Sequence, residues 1–249
     1  MKKRLHFNRP GPEVVLNLLA FAIGLALAYA LDWQARDLIW SLWLSSLVTG
    51  YLTIVIRIGR GLSGRTALLR QQGSPAQGRI VFATARTLLA VFLLGFFSLH
   101  FCGFHAGHAV FLSQFFPLPG VNGQDFSSAF MNPLLLWKTA ITSIVPMYGL
   151  FLIPVFINER KYILGTPLKD GEKKTTSRRQ LSDAFSRPYI NVVRMHLLIF
   201  FFAFSATMAL PTTAVMIVVY AVYFFPWSEC FTRQAETAPD QTEGITDLA

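Results

Sequence analysis

Residues 80–116 form a stretch of 37 residues in which Arg86 is the one charged side chain. As a single α-helix the stretch would be about 55 Å long, against a hydrocarbon core of ~30 Å. A run this apolar must be buried in a large core or set in a bilayer, and it is too long to cross a bilayer near the normal without a bend or a tilt. It also carries three of the five histidines, His100, His105 and His108, where imidazoles are uncommon. Gly103 and Gly107 lie among them. They mark the expected bend, after which residues 103–116 lie along the outer membrane surface or re-enter the protein. Pro117 ends the run in either case.

The rest of the chain has the same character. Of 249 residues, 53% are hydrophobic, 14% are charged and 23 are phenylalanine. Soluble domains carry roughly 25% charged residues. The formal net charge is +9, but the Lys and Arg sit in the gaps between apolar runs, not on one face or in one arm. That pattern fits cytoplasmic loops beside anionic lipid and argues against nucleic acid. Two cysteines, Cys102 and Cys230, do not make a disulfide framework. The basic start Met1-Lys2-Lys3-Arg4 leads into an apolar run without a convincing cleavage site, so a retained first span is expected.

Taken in order, the spacing predicts an all-α polytopic membrane bundle of six spans. They cover about 14–31, 38–58, 80–102 (with 103–116 interfacial or re-entrant), 132–157, 189–210 and 213–228. A basic tail, 1–12, precedes them and an acidic disordered tail, 232–249, follows the membrane domain 13–231. The connection 59–79 holds arginines at 60, 65, 70 and 79 and no acid, with glycines at 59, 61, 64, 73 and 78 that argue against a long helix. The connection 158–188 is also basic. Both are expected on the cytoplasmic side against anionic headgroups, placing both termini inside a bacterial inner membrane. Residues 118–131 contain no Lys or Arg and read as an outside loop. Ser41, Ser45, Ser46 and Thr49 form a mildly polar strip on the second span, suited to close helix packing.

The candidate chemistry starts with the histidines. An ionisable group inside a membrane span is a functional hypothesis by default, and imidazole nitrogens suit transition metals and haem iron. His105 and His108 are an i,i+3 pair. His100 and His108 stand roughly 80° apart and about 12 Å along a helix. Cys102 and Asp125 are further candidate ligands. The alternative is an interfacial role in hydrogen bonds to headgroups, water or carbonyls freed near the glycines. His196, near the start of the fifth span, is expected to differ from His100 in depth by very roughly 15–20 Å, which argues against one shared metal. Lys138 reads as a snorkelling amine or a buried counter-charge. No Ser–His–acid set, HExxH, CxxC or G-x-S-x-G accompanies these residues. Gly59-x-Gly61-x2-Gly64 follows a membrane span with no βαβ pattern and is a chance match to a nucleotide loop.

Two blocks resemble a known family. His100, Phe104, His108 and Phe111 form one; Pro188-Tyr189, Val192-Val193 and His196 form the other. Together with Trp43 they are similar to the bacterial polytopic membrane family known as domain of unknown function 6498, which has no established activity. The resemblance implies a membrane location and favours His100, His108 and His196 over His105. Two positions depart from it: Ser45 and Ser46 stand where a carboxylate is expected just after the tryptophan, and Asn191 stands where a base is expected.

The sequence reading is therefore a multi-pass, non-enzymatic inner-membrane protein with an outer-face histidine segment that binds a metal, a haem or a membrane protein partner. A His-ligated membrane redox metalloenzyme and a proton-coupled small-solute carrier are the alternatives. Reporter fusions check the topology: a fusion after Asn122 is expected to report outside and one after Lys173 inside, and the reverse would overturn the charge argument.

Overall fold

A computed structural model describes residues 12–71, 76–164, 193, 196–205, 207–219 and 221. Among these residues the structure is helical and contains no strand. In chain order the helices are α1 (Pro12–Ala30), α2 (Ala35–Gln71), α3 (Ala76–Phe115) and the short α4 (Gly123–Ser128). Then come α5 (Pro133–Thr139), a π-turn (Ala140–Ile144), α6 (Val145–Tyr148), a 3-10 turn (Gly149–Phe151) and α7 (Leu152–Leu164). Helices α8 (His196–Ser205) and α9 (Thr212–Val219) follow. Three stretches are long and apolar enough to cross a membrane: Ala35–Arg60, Ile80–Phe115 and Pro133–Arg160. The basic tail, His6, most of the 158–188 connection, Cys230 and the acidic tail lie outside the described residues.

Helix α2 is the centre of the bundle. In its most apolar window 72% of residues are buried, against 11% for α3. Leu38, Trp40, Trp43, Leu44 and Leu47 are all fully buried. Helix α3 instead presents Leu88, Leu89, Val91, Phe92, Phe96 and Leu99 outward. A soluble monomer rarely exposes so large an apolar strip, so this surface calls for an apolar surrounding.

Buried hydroxyls on α2 need partners in such a place. Ser41 donates to the Leu38 carbonyl, Ser45 to that of Ser41, Thr49 to that of Ser45 and Thr53 to that of Thr49, all at 2.7–2.8 Å. Each is satisfied within its own helix, which leaves a smooth small-residue face.

Two sequence expectations are corrected here. First, α3 runs unbroken through Gly103 and Gly107 to Phe115. The glycines serve packing. A Cβ at Gly103 would stand 3.1 Å from the Phe130 carbonyl oxygen, and one at Gly107 would stand 3.7 Å from the Phe130 ring. Second, α2 continues as helix through Gly59, Gly61 and Gly64 to Gln71. A helical glycine costs roughly 1 kcal/mol relative to Ala, and the intervening Leu, Ala, Arg and Gln are strong helix formers that offset it. The 118–131 connection, expected as an outside loop, packs in part on the core. It carries α4, capped by Asn122 Oδ1 on the Gln124 N–H (3.1 Å), and α4 drives Phe126 fully into the core against Trp40 and Trp43.

The stretch expected as a fourth span is broken. Trp137 packs on Tyr51, Tyr148 reaches Asp37, and the Leu164 carbonyl accepts from Arg60. The chain therefore approaches the start of α2 and then recedes from it. The break follows from Pro146, which lacks an N–H and would clash with the carbonyl four residues back. The π-turn before it widens the helix, with the Val145 N–H bonding to Ala140 O. Tyr148 then leaves helical geometry at φ −125°, ψ 1°.

At Gly50 the Phe101 ring fills the space a side chain would take. Gly50→Val is expected to destabilise the bundle by about 1–3 kcal/mol through overpacking. Gly95→Ala, with nothing within 4 Å of the new methyl, is expected to be neutral or stabilising. Unfolding in detergent checks both.

Candidate functional site

Helices α2 and α3 run antiparallel, and two indoles fix their register. Trp40 Nε1 donates to the carbonyl of Phe116 at 2.8 Å and Trp43 Nε1 to that of His105 at 2.9 Å. Phe116 lies past the last turn of α3, where carbonyls have no helical partner, so Trp40 acts as a cap supplied by another helix. The indoles also form one side of the histidine site.

His105 is completely buried, with the Phe101 ring 4.3 Å away, centroid to centroid, and Trp43 at 6.1 Å. Its Nδ1 lies 3.0 Å from the Phe101 carbonyl and its Nε2 lies 3.2 Å from Ser46 Oγ. A carbonyl can only accept, so Nδ1 carries the proton. Nε2 is then the lone-pair nitrogen and accepts from the Ser46 hydroxyl. Ser46 differs from its neighbours on the α2 strip, whose hydroxyls turn back onto their own helix; its hydroxyl crosses to α3. His105 is thus fully engaged as a brace between helices and has no nitrogen left for a metal.

His108, one turn further on, is 7% exposed and pairs with His196 of α8, Nε2 to Nε2, at 3.0 Å. The rings meet edge to face at 4.2 Å between centroids. At this separation one Nε2 carries the proton and the other receives it. His108 Nδ1 is buried without a partner. A buried N–H with no acceptor costs more than a bare lone pair, so the proton of His108 belongs on Nε2. His108 donates and His196 accepts.

The expected depth difference between the histidine stretch and His196 is therefore not observed where the two helices meet. That expectation counted residues from the end of the 158–188 connection, which does not fix where α8 sits. Phe202 of α8 packs on Phe116 at 6.0 Å. Helix α8 thus runs beside the C-terminal half of α3 and meets it at His108, eight residues beyond His100.

The other sequence candidates lie apart. His100 is exposed, stacked on Phe96 at 5.4 Å and edge-on to Phe104 at 4.9 Å, and so is not joined to His108. Cys102 is fully buried. Asp125 and Lys138 are exposed, Asp125 in the first turn of α4 and Lys138 in the last turn of α5. Among the described residues no three of His, Cys, Asp and Glu converge to hold a metal ion. Nor does the pair fit a haem or a linear metal. Imidazole–metal bonds of ~2.0–2.1 Å would hold two opposed nitrogens about 4 Å apart, whereas 3.0 Å is a direct hydrogen bond. Sequence reading missed the cross-helix roles of Trp40, Trp43 and Ser46. Tryptophan near a span end was the only available signal, and it reads equally well as an interfacial anchor.

Ser46→Ala is expected to destabilise the protein by about 1–3 kcal/mol, because it strands the buried Nε2 of His105. Ser45→Ala removes only a bond within α2 and is expected to cost less. Unfolding of the two variants in the same detergent tests the difference.

No curated protein and no solved structure matches the chain. A family profile matches residues 5–224, which include every residue of the site just described. The chain therefore belongs to the family of unknown function DUF6498.

Proposed function

We propose that this chain is a multi-pass protein of the bacterial inner membrane, with six spans and both termini cytoplasmic, and that its working element is the His108–His196 couple. In this reading the couple handles protons: it links the seat of α8 on α3 to protonation, as a proton-coupled carrier or gate requires. The chain is not an enzyme in this reading. The 3.0 Å contact between two Nε2 atoms, one of them on a helix that runs through the apolar bundle, carries the proposal.

The couple has room for one proton between its facing nitrogens. A second sets N–H against N–H: His196 becomes an imidazolium, His108 stays neutral, and no acceptor is left between them. Two donors facing each other cannot bond, so the contact that joins the rings is lost. His105 is the other titratable group beside His108, at 6.2 Å between centroids, and it faces the Phe101 carbonyl and the Ser46 hydroxyl. Acid is thus expected to release α8 from α3 at His108, and neutral pH to hold it.

The sign follows from linkage. The Nε2–Nε2 bond needs one of the two nitrogens unprotonated, so its contribution to stability is lost as acid supplies a second proton, in the ordinary histidine range of roughly pH 5–7. The full chain in detergent is expected to lose thermal stability across that range. The His108→Gln, His196→Gln double variant, whose amides can bond without titrating, is expected to show a much flatter profile. An equal acid-induced loss in the double variant would remove the couple as the proton-sensitive element.

A further inference from the structure

At the opposite end of α2 from the indoles, three arginines gather on two helices. Arg57 and Arg60 are an i,i+3 pair on α2 and share a face. Arg60 is exposed and donates through Nη1 to the carbonyl of Leu164, the last residue of α7. Arg160, one turn before Leu164, donates to Asn17 Oδ1 of α1 at 3.0 Å and to the carbonyl of Ile157. Arg57 and Arg160 are half-buried. Helix α7 thus meets α1 through Arg160 and α2 through Arg60 at one end of the bundle, with Arg57 one turn before Arg60 and Glu159, half-buried on α7, next to Arg160 in sequence.

Helix capping alone accounts for the Arg60 bond, because the last carbonyls of α7 lack helical partners. It does not account for three cations at one site. A guanidinium has five N–H donors in a planar fork, and the bond from Arg60 Nη1 leaves most of its fork for an anion. Apolar side chains point outward at the same level: Val15, Leu18 and Leu19 of α1, Val55 of α2 and Leu164 of α7. Cations above an outward apolar surface match a molecule that is anionic at one end and hydrocarbon at the other.

We propose that this end of the bundle binds an anionic phospholipid, its phosphodiester held by Arg57, Arg60 and Arg160 and its acyl chains lying along α1 and α7. The inference rests on the membrane placement proposed above and not on the histidine couple. Its test therefore reads separately from the pH profile.

The full chain in detergent is titrated with phosphatidylglycerol, with phosphatidylcholine of the same acyl chains, and with inorganic phosphate, while thermal unfolding is followed. Phosphatidylglycerol is expected to raise the melting temperature saturably, and the other two are not. Each basic residue near an anionic surface contributes about 1 kcal/mol, or roughly fivefold in affinity. Arg60→Gln, an exposed position, is therefore expected to weaken the phosphatidylglycerol effect about fivefold, and Arg57→Gln, Arg60→Gln together by more. Lys138→Gln, on the distant α5, is expected to leave it unchanged. Equal shifts from phosphatidylcholine, an undiminished response in Arg60→Gln, or an equal shift from inorganic phosphate would each overturn the lipid site. Recovery of the chain in the soluble fraction, not the membrane fraction, would instead overturn the placement on which it rests.

Discussion

The bundle depends on hydrogen bonds that cross from α2 to α3 where water is scarce. Trp40 and Trp43 are both fully buried, yet each indole N–H finds a carbonyl on α3. In an apolar surrounding the hydrophobic effect does not distinguish one helix register from another, since a Leu contacts lipid and protein about equally well. Direction comes from polar groups that must be paired. Two indoles three residues apart on one helix set both the height and the rotation of the helix they bond. Phe126 then packs on both rings, which also meet each other edge to face.

This constraint explains why His105 and His108 have such different surroundings although they are three residues apart on one helix. His105 faces α2, where Trp43 and Ser46 engage its carbonyl and its ring. His108 is turned toward α8 and meets a second imidazole. The first is a brace whose two nitrogens have fixed roles. The second has one nitrogen shared with His196 and another with no partner. The second lies off the α2–α3 contact and joins α3 to α8 instead.

Much of the architecture was legible from residues alone. The absence of charge between Leu88 and Leu99 required a long apolar helix, and an apolar helix that long is observed. The sites of error are physical. In sequence Gly103 and Gly107 suggest conformational freedom, yet a glycine in a helix also admits a neighbouring backbone, and Phe130 takes that space. Gly59, Gly61 and Gly64 were read as breaks, and the helix formers around them prevailed. His196 was placed by counting from a hydrophilic connection, which gives no rotation and little depth. No periodicity in either segment encodes that His108 and His196 meet; that is set by how α8 packs on α3.

Ser46 is the position where sequence and structure sharpen each other. The resemblance leads to a carboxylate just after Trp43, and this chain has hydroxyls there. Serine can donate, so His105 keeps its proton on Nδ1, bonded to Phe101, and accepts at Nε2. A carboxylate can only accept when ionised. Facing Nε2, it would require a proton on that nitrogen. With Nδ1 still bound to a carbonyl, the ring would then have to be an imidazolium paired with an anion. A buried ion pair would replace a neutral hydrogen bond, with the desolvation cost that entails. The serine therefore lets His105 stand as a neutral brace between α2 and α3, separate from the imidazole contact that joins α3 to α8.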